Sequence, residues 1–187
     1  MPLSEHFRAC ARNNAWSNHR LLRACAALSQ PEFEATRTSF FPSLQKTLNH
    51  ILVVDGFYLD GLERGGRGPA TYANELPCPR LADLAAAQRA SDLRLVRFCD
   101  GLGEDDLERE VALDRGEHGV TRETVHALLS HLFAHQIHHR GQAHAMLAGT
   151  SVAPPQLDEF FLAWDEPLRR AELTELGLAD QAGRAAR

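Results

Sequence analysis

Residues 131–147 read HLFAHQIHHRGQAHAML and hold five of the chain's ten histidines. Their apolar residues recur with helical rather than strand period. The pattern extends back to Thr121, a good cap, with Glu123 suiting the positive end of a helix, and forward to Ala148, where GTSVAPP ends it. At ~1.5 Å per residue such a helix is about 40 Å long, enough to span a helical bundle.

Three more segments share this period. The first helix is expected from Ser4, a good N-cap, to about Leu28, where SQPE stops it. The second follows Pro42 and Ser43, from Leu44 to about Glu63, and is apolar around much of its girth. The loop RGGRGPATYANELPCPR leads to a third, LADLAAAQRASDLRLVRFCDGL. GEDDLEREVALDRGEHGV then connects to the histidine-rich helix, and its EVAL portion has the makings of a short strand. A shorter helix is expected from Leu157 to Trp164, followed by a tail that is partly helical and frayed at its end. The expectation is an all-α bundle forming one domain over 1–187, with its core at about 3–165 and a peripheral tail at 166–187.

Composition narrows the function. With 187 residues, 44% hydrophobic and 24% charged, the chain can bury a substantial core. A net charge of -5 and scattered basic residues argue against a nucleic-acid partner. No apolar run approaches the ~20 residues of a membrane span. Cys10, Cys25, Cys78 and Cys99 are far apart, form no Cys-x-x-Cys pair and read as reduced thiols of a cytoplasmic protein. None belongs to a recognisable Cys-His nucleophile motif.

On a 3.6-residue period Thr124, Leu128, His131, His135, His139, Gln142 and Met146 share one stripe, with His138 on its flank and His126 and His144 opposite. Histidines four apart lie one turn above the other, so His135 could share a cation with His139 or with His131. His131 and His139 are two turns, about 11 Å, apart and cannot both reach one small ion. A third donor must come from another element, and His50 is the candidate. It sits mid-helix with Val54 and Phe57, where an unpartnered imidazole is costly, although a neighbouring polar group could also satisfy it. Neutral imidazoles suit zinc, nickel, iron, cobalt or copper better than calcium or magnesium, and three of them leave one position open for water or substrate. No general base can be assigned, because Asp55 and Asp60 lie on other sides of the second helix from His50.

Together HLFAHQIHHRGQAHAML, LNHILVVDGFYL and NNAWSNHRLL resemble the DinB-like (DinB/YfiT) family of metalloenzymes, over about Leu3 to Trp164. The resemblance implies an up-and-down four-helix bundle, here with a short extra C-terminal helix, commonly dimeric. It also implies one divalent metal, zinc or nickel foremost, held by His50, His135 and His139. It makes His138 a variable neighbour and His131 a residue of the pocket, while Gln142 could hold a ligand or be bonded within the bundle. Some relatives are thiol-dependent transferases or isomerases, so the implied function is a metal-dependent transferase or hydrolase acting on a small molecule such as a low-molecular-weight thiol. The alternative is a non-catalytic dimer whose metal or histidine cluster is structural. Gly141, in line with Ala127, Ala134 and Ala148, would mark close helix packing within the chain or a dimer contact. Arg140 could pair with a carboxylate at a helix crossing or stand as a solvated charge.

Overall fold

The computed structural model describes residues 1–178. Among the described residues six α-helices are present: α1 (Leu3–Cys25), α2 (Gln30–Glu34), α3 (Leu44–Leu62), α4 (Leu81–Asp100), α5 (Val125–Ala148) and α6 (Glu166–Glu175). α1 packs against α4, α4 against α3, α3 against α5 and α5 back against α1, so the four long helices close a ring. Two clusters fill it. One joins Phe7, Trp16, Phe57, Leu95, Leu129 and Leu132, and the other joins Leu21, Phe33, Leu44, Ile51, Leu84 and Leu147.

The helix ends follow side-chain capping, not always at the expected residue. Ser4 lies inside the first turn of α1, and Glu104 supplies the acceptors there, taking hydrogen bonds from the Ser4 and Leu3 amides at 2.8 and 3.3 Å. SQPE, expected only to stop a helix, starts one: Ser29 and Glu32 form a reciprocal capping box, with Pro31 in the first turn of α2. α3 starts at Leu44 as expected, and Ser43 caps it. The cap of α5 is Thr124 rather than Thr121, because residues 120–124 are strand.

That strand corrects the all-α expectation. β1 (Glu110–Asp114) and β2 (Val120–Thr124) form an antiparallel pair, with Val111 opposite Glu123 and Leu113 opposite Thr121. Val111 and Leu113 face inward, and a Cβ built on Gly61 of α3 would stand 2.2 Å from Leu113 Cδ2, so glycine there admits the hairpin.

The C-terminal region also differs from expectation. No helix forms over 157–162; a 3-10 turn at Ala163–Asp165 leads into α6, which docks on α1. The expected fraying at the chain's end lies outside the described residues. Ala134, Gly141 and Ala148 are exposed, and a Cβ on Gly141 would meet nothing, so that line does not pack within the chain. Among the described residues no helix is long and apolar enough to cross a membrane.

One carboxylate fastens α6. Glu172 accepts from the buried Trp16 indole N–H at 2.7 Å, from Arg20 Nε at 2.8 and 2.9 Å, and from Arg23 at 3.1 Å. Removing it strands an indole N–H and takes from the largely buried Arg20 the carboxylate that its Nε donates to, so Glu172→Ala is expected to lower unfolding free energy by about 3 kcal/mol. Glu175→Ala removes an exposed partner of His19 and Arg23 and should stay under about 1 kcal/mol. Urea denaturation of both variants checks this, and equal losses would contradict the assignment of Glu172 as the fastening point.

Candidate metal centre

α3 and α5 bring three imidazoles together. One nitrogen from each of His50, His135 and His139 lies within 4.8 Å of the other two, a spacing at which they could hold a metal ion. His50 Nε2 and His135 Nε2 are 3.0 Å apart. Two nitrogens bound to one tetrahedral ion at ~2.1 Å stand ~3.4 Å apart, so His50 and His135 are already near that spacing and the widest pair would close by up to about 1.4 Å. The donor set also fits. Burial, then the charge of His139, lowers the His50 pKa to about 4. Burial, then the surrounding imidazoles, lowers that of His135 to about 3, and burial lowers that of His139. Neutral rings keep the lone pairs a cation needs. His135 Nδ1 is buried and has no hydrogen-bond partner among the described residues.

Gln142 is bonded within the bundle. Its Oε1 lies 2.8 Å from His139 Nδ1 and can accept that N–H only, which leaves His139 Nε2 unprotonated; its Nε2 lies 3.1 Å from His138 Nε2. His138 is exposed beside His139. His131 is also exposed, its ring 6.4 Å from that of His135 and 5.2 Å from Tyr58, and it stands apart from the three-histidine cluster. His126 bonds Thr124 and His144 donates to the Pro155 carbonyl, both away from the cluster.

Two features of the site were not read from the sequence. Phe41, in the loop before α3, lies 4.2 Å from the His50 ring and 5.6 Å from that of His139, and covers one side of the cluster. Asn49, next to His50, exchanges two 2.9 Å hydrogen bonds with the backbone of Cys78 and so ties the 77–79 loop to α3.

Behind the imidazoles lies a fully buried polar network. Arg140 Nη1 donates to Asn14 Oδ1 at 2.6 Å and to Asn18 Oδ1 at 3.1 Å, so it is neither a solvated charge nor in direct contact with a carboxylate. Gln136 donates to both oxygens of Asp55, and Gln88 donates to Asp55 and Asp92. Burial raises Asp55 to about 7; burial and the Asp55 charge raise Asp92 to about 8. Asn14 and Asn18 repeat at four residues on α1, as Gln136 and Arg140 do on α5. That shared spacing is the one sequence signal that could have revealed the network.

The model of the DinB family matches residues 3–173. Among solved structures the chain is similar to a DinB-like protein from Bacillus cereus ATCC 10987, with a TM-score of 0.58 and 17% sequence identity over 75% of this chain and 90% of that one. No curated protein matches.

The lowered pKa values carry a sign. Between about pH 3 and 6.5 the unfolded chain binds protons at His50 and His135 that the folded chain refuses, so these residues withdraw stability as pH falls through that window. In metal-stripped protein their imidazole NMR shifts should stay at the neutral position from pH 7 down to pH 5. A midpoint near 6.5 for either ring would show it open to water.

Proposed function

The chain belongs to the DinB family, and from that premise we propose that it is a metal-dependent enzyme whose single divalent transition ion is held by His50, His135 and His139. The observation that carries this reading is the convergence of three imidazoles, all kept neutral, from two different helices. Zinc and nickel suit the set best, with iron, cobalt and copper also matching imidazole. Such an ion would supply Lewis acidity to a thiol, carbonyl or water at its remaining position.

The chain's own residues set the surroundings. Gln142 holds the His139 tautomer, and Phe41 keeps water from one side of the rings. His131 and His138 stand exposed to either side as polar contacts for a small molecule. We take that molecule to be a low-molecular-weight thiol or its electrophilic partner, and the reaction to be a group transfer or hydrolysis. The reading further takes the ring of α1, α4, α3 and α5 as an up-and-down four-helix bundle, in a cytoplasmic homodimer. The free cysteines suit a reducing compartment. The exposed small residues Ala134, Gly141 and Ala148, with Ile137 62% exposed among them, offer a dimer contact.

Protein purified without a metal-affinity resin should contain one divalent ion per chain by elemental analysis. His50→Ala, His135→Ala and His139→Ala should each lose it, whereas His131→Ala and His138→Ala should keep it. Gln142→Ala should weaken binding by about 10- to 100-fold. Turnover of a panel of thiols with alkylating and ester electrophiles should vanish with the metal. Full metal content in His135→Ala would refute the ligand set, and a large chelator-induced loss of stability with no turnover on any thiol would make the site structural.

A further inference from the structure

The buried network leaves a charge unanswered. It holds two carboxylates, Asp55 and Asp92, and one guanidinium, Arg140, so in their ordinary charge states one negative charge has no partner. The two acids are not satisfied alike. Both oxygens of Asp55 accept hydrogen bonds. Asp92 Oδ1 accepts from Asn14, Asn18 and Gln88 at 2.9–3.1 Å, but its Oδ2 accepts none among the described residues.

Asp92 is only 3% exposed, yet it lines a cavity of about 380 Å³ between α1, α4 and the end of α6. That volume lies within the range of small-molecule sites. The walls are apolar and small, formed by Ala15, Leu22, Ala85, Ala86 and Leu176. The basic side chains at its rim are already engaged by α6: His19 with the Glu175 carboxylate, Arg23 with Glu172 and Glu175, and Arg89 with the Glu175 carbonyl. None of them reaches Asp92 Oδ2.

We infer that this cavity is a binding site for a small organic cation, a primary ammonium on a compact apolar body, with Asp92 as its counter-ion. A metal ion suits the place poorly, because calcium and magnesium want six or more oxygen ligands and the walls offer methyl groups. An ammonium needs few acceptors, carries the missing positive charge and leaves its carbon body against alanine and leucine. In its absence a proton neutralises the network, since burial and the Asp55 charge hold the Asp92 carboxyl protonated up to about pH 8, against the hydrogen bonds of Gln88 and Asn18 and the charge of Arg140. Binding therefore exchanges one cation for another: the proton leaves Asp92 for the buffer as the ammonium enters.

Calorimetric titration with benzylamine, and with benzyl alcohol as its uncharged counterpart, tests this. Benzylamine should bind at one site, at least about tenfold more tightly at pH 8.5 than at pH 6.5, with proton release seen as a buffer-dependent heat. Asp92→Asn keeps the acceptor for the three amide donors but removes the charge, and should abolish binding. Ala86→Trp fills the cavity from an exposed position where folding is not at risk, and should do the same. His50→Ala should leave benzylamine binding intact, which separates this cavity from amine ligation at the three histidines. Equal affinity for benzyl alcohol, binding retained in Ala86→Trp, or no saturable benzylamine binding at pH 8.5 would overturn the assignment.

Discussion

The burial of Arg140 constrains the whole bundle. A guanidinium taken out of water costs several kcal/mol unless its donors and its charge are answered. Here its acceptors are the side-chain oxygens of Asn14 and Asn18 on α1, with the Gln136 oxygen at 3.4 Å on α5 itself. The charges that balance it are Asp55 on α3 and Asp92 on α4. Four helices thus contribute to one group, and only one rotation of each satisfies it. His135 and His139 precede Gln136 and Arg140 by one residue each, so the rotation that turns the polar pair inward turns the imidazoles about 100° away, towards α3. The network sets the direction in which the histidines face.

This double duty explains what could be read from the sequence. The histidine stripe was legible because four-residue spacing is a local property of a helix, and His50 stood out as a polar residue in an apolar run. Arg140 was not legible. The sequence left it between a carboxylate pair at a helix crossing and a solvated charge, because the amide acceptors that bury it lie more than a hundred residues away on α1. The same limit applies to Asp92, whose partners come from α1 as well as from its own helix.

The ends of elements were legible only where capping is local. Ser43 is followed at once by its helix and was placed correctly, whereas Thr121 and Thr124 are equally good caps by type. The choice between them falls to Thr124 because Val111 and Leu113 bury themselves against α3 and draw 120–124 into a strand. Similarly, α6 carries too little apolar surface to announce itself. Its position depends on Glu172 meeting Trp16 and Arg20 of a helix near the other end of the chain.

α5 therefore separates two electrostatic environments. On one side three imidazoles, stripped of solvent and crowded together, stay neutral. On the other, two acids and a guanidinium carry a net charge of minus one when ionised. Where Asp92 is ionised, that excess charge favours a cation on the imidazole side of α5; below about pH 8, where Asp92 is protonated, it does not. The network would thus act on the imidazole site twice, by aiming the rings and by favouring a cation among them. Whatever neutralises Asp92 would weaken the second effect while leaving the first, because the hydrogen bonds that hold α5 in register run from Gln136 to Asp55 and from Arg140 to Asn14 and Asn18, which in turn donate to Asp92 Oδ1, and none of them involves Asp92 Oδ2.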